Sequence, residues 1–153
     1  MSAVESKKNL ETRAMRYLVR REYSRQELAQ KLSTNANASD SQELETVLDA
    51  LEQKGFLSAQ RVVEQTAHLR RARYGSQRII HELKTKGIDA HLIDEIVPTL
   101  QATENETAST VWQKKFGRLP ATREEYAKQM RFMMSRGFSV ETVRKILTPT
   151  DDA

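Results

Sequence analysis

Apolar positions recur along the chain with the spacing of amphipathic helices. Leu44 is followed by Val47, Leu48 and Leu51, at the i, i+3, i+4, i+7 spacing that places side chains on one helical face. Only 5 glycines and 3 prolines interrupt the 153 residues, so helix-forming residues dominate throughout. The pattern predicts three groups of three helices. Their ranges are 9–22, 24–33 and 41–54, then 59–73, 75–86 and 89–100, and finally 103–116, 122–136 and 139–147.

Two kinds of signal mark the predicted helix ends. Ser24-Arg25-Gln26-Glu27 and Thr122-Arg123-Glu124-Glu125 have the capping-box form, in which the first side chain caps the helix and the fourth reaches back. Gly55, Gly87 and Gly137 each precede an apolar residue, which is typical of a Schellman ending. The polar run 33–41 has no periodicity and predicts a flexible connection.

The two later glycine turns belong to an internal repeat. Leu83 and Met133 occupy the same position before the glycine, and Ile88 and Phe138 directly follow it. One three-helix unit buries too little apolar surface to be stable alone, so neighbouring units must pack together. The expected fold is therefore all-α, with three tandem three-helix repeats in an elongated array. The expected domains are residues 1–57 with an N-terminal segment, 58–101, and 102–153 with a short acidic tail.

Composition and motifs exclude several classes of site. The chain has no cysteine, which removes disulfides, thiolate metal ligands and cysteine nucleophiles. Its histidines, His68, His81 and His91, share no helical face, and the sequence contains no phosphate-binding loop or catalytic motif. No apolar stretch has the length of a membrane span. We therefore expect a soluble cytoplasmic protein without enzymatic activity, cofactor or metal.

Charge is unevenly distributed along the chain. Basic blocks at 1–33, 70–87 and 113–147 alternate with acidic ones, within a formal net charge of +4. Such blocks would present separate positive patches to an acidic partner, and helices that pair their charges with one another would show the same alternation. The sharpest candidate site surrounds Tyr74-Gly75 at a predicted helix junction. Its cations are Arg70, Arg71, Arg73, Arg78, Lys84 and Lys86.

These cations have two interpretations. Guanidinium groups suit both carboxylates and phosphates, which indicates a contact with acidic protein side chains or with nucleic acid. Alternatively, they belong to solvated helices whose side-chain stems cover the core. A second basic surface is a weaker candidate for such a contact. It comprises Lys114, Lys115, Arg118, Lys128, Arg131, Arg136, Arg144 and Lys145. The neighbouring Trp112, Tyr126, Met130, Met133 and Met134 are predicted to be core residues rather than stacking platforms.

From about Ala14 to Leu147, the sequence resembles the RecX family of recombination regulators. The resemblance rests on stretches that occur in the same order and spacing as in that family. They are Tyr23-Ser24-Arg25-Gln26-Glu27-Leu28, the central segments 51–57, 68–75 and 79–88, and Phe132-Met133-Met134-Ser135-Arg136-Gly137-Phe138-Ser139. One departure is Leu57-Ser58-Ala59, where the family usually has acidic residues.

The resemblance implies helix-turn-helix-like repeats in a curved array that lodges in the groove of the RecA recombinase filament on single-stranded DNA. It also implies a regulator of recombination and DNA repair that mostly inhibits RecA ATP hydrolysis, strand exchange and coprotease activity. The expected partner is the RecA filament, with weak direct DNA binding in addition, and the free protein is expected to be a monomer. The residues expected to bind the partner are Arg16, Arg20, Arg25, Arg70, Arg71, Arg73, Tyr74, Arg78, Lys84, Lys86, Lys114, Lys115, Arg131 and Arg136.

Two other functions are compatible with the sequence. A DNA-binding transcription regulator built from helix-turn-helix-like units would carry base-reading residues at the starts of its second helices. Arg25-Gln26 and Ser76-Gln77-Arg78 are of that type. A general helical adaptor would require nothing beyond the observed periodicity.

Overall fold

The computed structural model describes residues 3–33 and 41–149, with side chains from Lys7 onward. In chain order its helices are α1 (Ala3–Leu18), α2 (Arg25–Ser33), α3 (Ser41–Gln53), α4 (Ala59–Arg70), α5 (Ser76–Thr85), α6 (Ala90–Ala102), α7 (Glu104–Lys115), α8 (Arg123–Ser135) and α9 (Val140–Leu147). The described residues contain no strand, and the predicted all-α fold is confirmed. Most of the predicted flexible connection and acidic tail lies outside the described residues, at 34–40 and 150–153.

The first helix differs from its predicted range of 9–22. It begins at Ala3 and ends at Leu18. The chain turns after this point, and Tyr23 folds back against Tyr17 in an edge-to-face pair with ring centroids 5.7 Å apart. Because Tyr23 is a buried core residue, the turn that brings it inward ends the helix earlier than the apolar spacing suggested.

The predicted capping residues are in place, with one change. Ser24 and Glu27 form a complete capping box, since the Glu27 amide donates to Ser24 Oγ (3.1 Å) and the Ser24 amide donates to Glu27 Oε1 (2.9 Å). At α8 the Thr122 hydroxyl accepts from the Glu125 amide (3.1 Å). The Glu125 carboxylate, however, accepts from the Ala121 amide (2.7 Å), one residue earlier than a capping box requires.

The three predicted glycine turns are confirmed. Gly55, Gly87 and Gly137 have φ angles of +82°, +79° and +92°, in the left-handed region that glycine enters without a steric penalty. After Gly87, the Ile88 amide donates to the Leu83 carbonyl (3.0 Å), as a Schellman ending requires. Gly87 and Gly137 lie between the last two helices of the second and third groups, whereas Gly55 follows the last helix of the first group.

Buried apolar side chains form three clusters, one in each run of three consecutive helices. The first consists of Leu10, Ala14, Tyr23, Leu28, Leu32, Leu44, Val47, Leu48, Leu51 and Leu57. The second consists of Val62, Val63, Ala67, Ile79, Leu83, Ile88, Ile93 and Leu100, and the third of Ala108, Met133, Phe138, Val143 and Leu147. The predicted tandem three-helix units are therefore confirmed, and we refer to them as the first, second and third units. The curvature of the array stays a prediction.

One residue predicted for the core of the third unit, Met134, is not buried there. Met134 is 44% exposed on α8, whereas the other residues predicted for this core are buried or half-buried. Trp112 packs against the cluster, and its Nε1 donates to Gln129 Oε1 (2.8 Å). The indole is thus held by a hydrogen bond within the unit, as expected for a core residue with a polar edge.

Glu27 gives the first unit a pH-dependent contribution to stability. Partial burial by itself would raise the pKa of Glu27, but hydrogen bonds from the Ser24 amide and from Arg21 outweigh it and hold the pKa below its usual range. A lowered folded-state pKa stabilises the fold above the unfolded-state pKa, and this stabilisation is lost as the pH falls through the folded-state value.

We expect Glu27→Gln to lower the free energy of unfolding by about 0.5–1 kcal/mol at neutral pH, because Gln keeps an acceptor for the Ser24 amide but loses the negative charge that pairs with Arg21 at the helix N-terminus. The deficit should shrink as the pH falls from the unfolded-state pKa through the folded-state pKa, because wild-type Glu27 becomes protonated over this range. Urea unfolding at several pH values measures this difference, with Glu106→Gln at an exposed position as the control. A deficit that is independent of pH would contradict the assignment.

Candidate anion-binding cleft

Consecutive units are joined by the same kind of contact. Between the first and second units, Ser24 Oγ donates to the Lys86 carbonyl (2.6 Å) and Gln26 Nε2 donates to the Thr85 carbonyl (2.9 Å). We call this contact the first joint, and its counterpart between the second and third units the second joint. In each joint, the start of one unit's second helix binds carbonyls at the end of the next unit's second helix.

The second joint uses backbone groups where the first uses side chains. The Gly75 amide donates to the Arg136 carbonyl (2.8 Å), and the Gln77 amide donates to the Gly137 carbonyl (3.1 Å). A Cβ atom on Gly75 would lie 2.3 Å from the Gly137 carbonyl oxygen, so only glycine permits this approach. The sequence pattern marked Gly137 as a helix stop but did not reveal its contact with Gly75.

A buried carboxylate reinforces the second joint. Glu104, the first residue of α7, accepts hydrogen bonds from the amide (2.9 Å) and the hydroxyl (3.0 Å) of Ser76. Nearby, an Arg71 Nη2 donates to Thr103 Oγ1 (3.0 Å). Since Gly75 has no side chain to cap α5, Glu104 from the third unit supplies the cap. The local sequence pattern did not reveal the role of Glu104; its one clue is that Gly75 occupies the position that Ser24 has in the first unit.

The structure does not place the predicted basic set around Tyr74 on one surface. Arg70 and Lys86 both pair with Glu82, at 3.0 and 3.1 Å. They line a cleft of about 480 Å³ at the first joint, which we call the mixed cleft because both acidic and basic side chains line it. Its charged residues are Arg21, Glu22, Glu27, Arg70, Glu82 and Lys86. The cations in this cleft are thus compensated by neighbouring carboxylates.

Three predicted cations of the first unit lie elsewhere. Arg25 is surrounded by carboxylates of α3, namely Glu45, Asp49 and Glu52. Desolvation would lower the pKa of the Arg25 guanidinium, but these hydrogen bonds raise it above its usual value. Arg16 and Arg20 line a separate depression at the C-terminal end of α1 together with Arg13 and Tyr17. The Arg25 guanidinium is thus paired with carboxylates of its own unit.

Cations and aromatic rings alternate across the second joint. The Arg78 guanidinium carbon lies 4.2 Å from the Tyr74 ring centroid. The Arg136 guanidinium carbon lies 5.4 Å from the centroid of Tyr74 and 5.1 Å from that of Phe132, and Lys115 Nζ lies 5.1 Å from the Phe132 centroid. Because cation–π contacts hold these groups without neutralising them, the rings fix the positions of the cations and leave their charge available.

The two predicted basic surfaces meet beside this joint in a cleft of about 390 Å³. We call it the basic cleft. It is lined by Ala72, Arg73, Thr110, Val111, Lys114, Lys115, Phe132 and Arg136. α4 ends at Arg70 rather than at the predicted residue 73, so Ala72 and Arg73 project from a turn instead of a helix. The sequence predicted four of the lining residues as partner-binding cations, whereas Arg131 and Lys84 are exposed outside the cleft.

The basic cleft contains no carboxylate among its lining residues. Throughout the described residues, the ion pairs involve only residues between Glu11 and Glu95, so the cations of the third unit form none. Four uncompensated cations around one concave surface can bind carboxylates or phosphates. The described residues hold no cluster of potential metal ligands, and no described helix is long and apolar enough to cross a membrane.

The third and second units match known families of domains. Residues 102–147 match the model described as "RecX, third three-helix domain", and residues 60–96 match "RecX, second three-helix domain". These two matches coincide with the units on either side of the second joint.

Full-length relatives extend the similarity to the first unit. The chain is 45% identical to the regulatory protein RecX of Leptothrix cholodnii, covering 94% of this chain and 90% of the relative. It is 44% identical to the regulatory protein RecX of Ralstonia nicotianae, covering 94% and 89%. The crystal structure of RecX from Lactobacillus salivarius superposes with a TM-score of 0.78 at 16% identity, covering 94% of this chain and 96% of that one, which supports the fold.

Proposed function

The chain belongs to the RecX family of regulatory proteins, and on this basis we propose that it regulates homologous recombination and DNA repair by binding the RecA filament on single-stranded DNA. In this proposal it mostly inhibits the ATPase, strand-exchange and coprotease activities of RecA. It acts as a regulator rather than an enzyme, without a cofactor and as a monomer when free.

The observation that supports a contact of this kind is the uncompensated charge of the basic cleft. Arg73, Lys114, Lys115 and Arg136 converge without an acidic neighbour, whereas the cations of the mixed cleft are paired. Keeping four like charges together is unfavourable for the isolated protein, and an anionic partner would remove that repulsion. We assign the basic cleft to the RecA filament contact.

The joints suggest how such a contact would act on a filament. Each unit is fixed to the next through hydrogen bonds at its second helix, and at the second joint these include backbone groups and the buried Glu104. An array with fixed joints can bridge neighbouring RecA subunits and oppose the rearrangements that accompany ATP hydrolysis and filament growth.

The test is RecA ATP hydrolysis on single-stranded DNA with this protein added at substoichiometric amounts. We expect suppression at concentrations at which the protein leaves bare single-stranded DNA largely unbound, as measured in a parallel binding assay. An unchanged RecA ATPase, accompanied by tight and sequence-dependent duplex binding, would instead support a transcription regulator.

The structure gives the transcription-regulator alternative little support. The starts of α2 and α5, which would read bases, take part in the two joints. Gln26 binds the Thr85 carbonyl, Ser76 is buried against Glu104, and Arg78 donates to the Ser135 carbonyl (3.1 Å). Side chains engaged with the next unit are not free to enter a DNA groove.

A further inference from the structure

The basic cleft combines its charge with an apolar surface. Ala72, Val111 and Phe132 contribute apolar atoms to the same concave wall that carries the four cations. Ala72 is exposed, and Val111 and Phe132 are half-buried against the third cluster. A ligand that fills this cleft must therefore cover apolar surface in addition to supplying negative charge.

The aromatic rings beside the cleft are poorly placed to stack on nucleobases. Phe132 is contacted by Arg136 and Lys115, and the ring of Phe116 meets it edge-to-face with centroids 5.4 Å apart. Tyr74 is contacted by Arg78 and Arg136. Recognition of single-stranded nucleic acid normally uses open ring faces on which bases stack. A phosphodiester backbone at this site would satisfy the cations and leave the apolar wall uncovered.

We propose that the basic cleft binds a short acidic segment of a partner protein, in which carboxylates flank one apolar side chain. The apolar side chain packs against Ala72, Val111 and Phe132, and the carboxylates pair with the surrounding lysines and arginines. This inference rests on the proposed function, because it specifies which chemistry the partner presents to the cleft. It requires a protein segment rather than nucleic acid as the occupant.

Fluorescent synthetic peptides test the inference with the full-length protein. One probe is a short Asp/Glu peptide with a central Leu, the second has Ser in place of that Leu, and the third is an oligo-dT of equal charge. We expect the Leu peptide to bind about tenfold more tightly than the Ser peptide, the gain expected for burial of one apolar side chain. The Leu peptide should also outcompete oligo-dT.

Ala72→Asp provides the matching variant, because residue 72 is exposed and an added carboxylate there opposes an acidic ligand on the apolar wall. We expect it to weaken the Leu peptide at least tenfold, whereas Ala90→Asp, at an exposed position outside the cleft, should leave binding unchanged. Circular dichroism verifies that both variants fold.

Two results would overturn the inference. One is equal affinity for the Leu and Ser peptides, and the other is displacement of the fluorescent Leu peptide by oligo-dT at a lower concentration than by unlabelled Leu peptide. Inhibition of RecA ATPase is measured on the same preparations. If inhibition persists while the peptides fail these criteria, the acidic-segment inference is wrong and the proposed function stands. If the peptides behave as expected but RecA is unaffected, the cleft chemistry is supported and the RecA assignment is wrong.

Discussion

Replacing Arg73, Lys114 and Lys115 together with Glu should weaken inhibition of the RecA filament. The concentration of this protein needed for half-maximal suppression of ATP hydrolysis should rise about a hundredfold or more. Each residue lines the basic cleft, and none has an ion-pair partner among the described residues. A charged hydrogen bond contributes about 1.5–3 kcal/mol, and replacement by Glu adds repulsion toward an acidic partner. Three such losses exceed the free energy that corresponds to a hundredfold change.

The control variant reverses Arg123, Lys128 and Arg144, which are exposed in the same unit outside the cleft. It produces the same change in net charge, so it should retain most of the inhibition if local contacts rather than general electrostatic attraction are responsible. Similar losses in the two variants would contradict the assignment of the contact to the basic cleft.

Gly137→Ala should lower the free energy of unfolding by about 3 kcal/mol or more. An alanine at the observed φ of +92° costs about 1–2 kcal/mol of backbone strain. Its Cβ would also lie 2.4 Å from Arg78 Cβ and 2.6 Å from the Arg78 amide nitrogen, so the second joint would have to open. Overpacking of this kind adds about 1–3 kcal/mol. Urea unfolding followed by circular dichroism measures the total.

Gly55→Ala is the matched control for this prediction. Gly55 has a φ of +82°, but a Cβ there would meet no atom within 4 Å, so only the cost of about 1–2 kcal/mol from backbone strain should remain. Hydrogen exchange gives a second measurement, because the amides of Gly75 and Gln77 should lose protection in Gly137→Ala and keep it in Gly55→Ala. Equal destabilisation by both substitutions would exclude a steric role at the joint.

Interactions close in sequence were predicted well. The face formed by Leu44, Val47 and Leu48 is buried as expected, and the capping box from Ser24 to Glu27 is complete. These features depend on residues three or four positions apart, which a helix necessarily brings together. The capping-box motif of α8 predicted only one of its two hydrogen bonds correctly, because the Glu125 carboxylate accepts from the Ala121 amide instead of the Thr122 amide.

Contacts between distant residues could not be predicted in the same way. The end of α1 depends on Tyr23 reaching the core beside Tyr17, and Met134 is exposed although its spacing resembles that of a core residue. Glu104 caps α5 from 28 positions away in sequence. Nothing in the local pattern distinguishes this carboxylate from the solvated acidic residues that commonly begin helices.

By itself, the sequence determined the helices, the glycine turns between them, the grouping into three units and the resemblance to the RecX family. These depend on local periodicity and on the freedom of glycine at positive φ. Only the tertiary structure decided which cations remain uncompensated. Arg70 and Arg73 are close neighbours in the sequence, yet Arg70 pairs with Glu82 at the first joint and Arg73 lines the basic cleft at the second. The physical reason is that the availability of a charge depends on the carboxylates packed around it, and their positions are set by how one unit docks on the next.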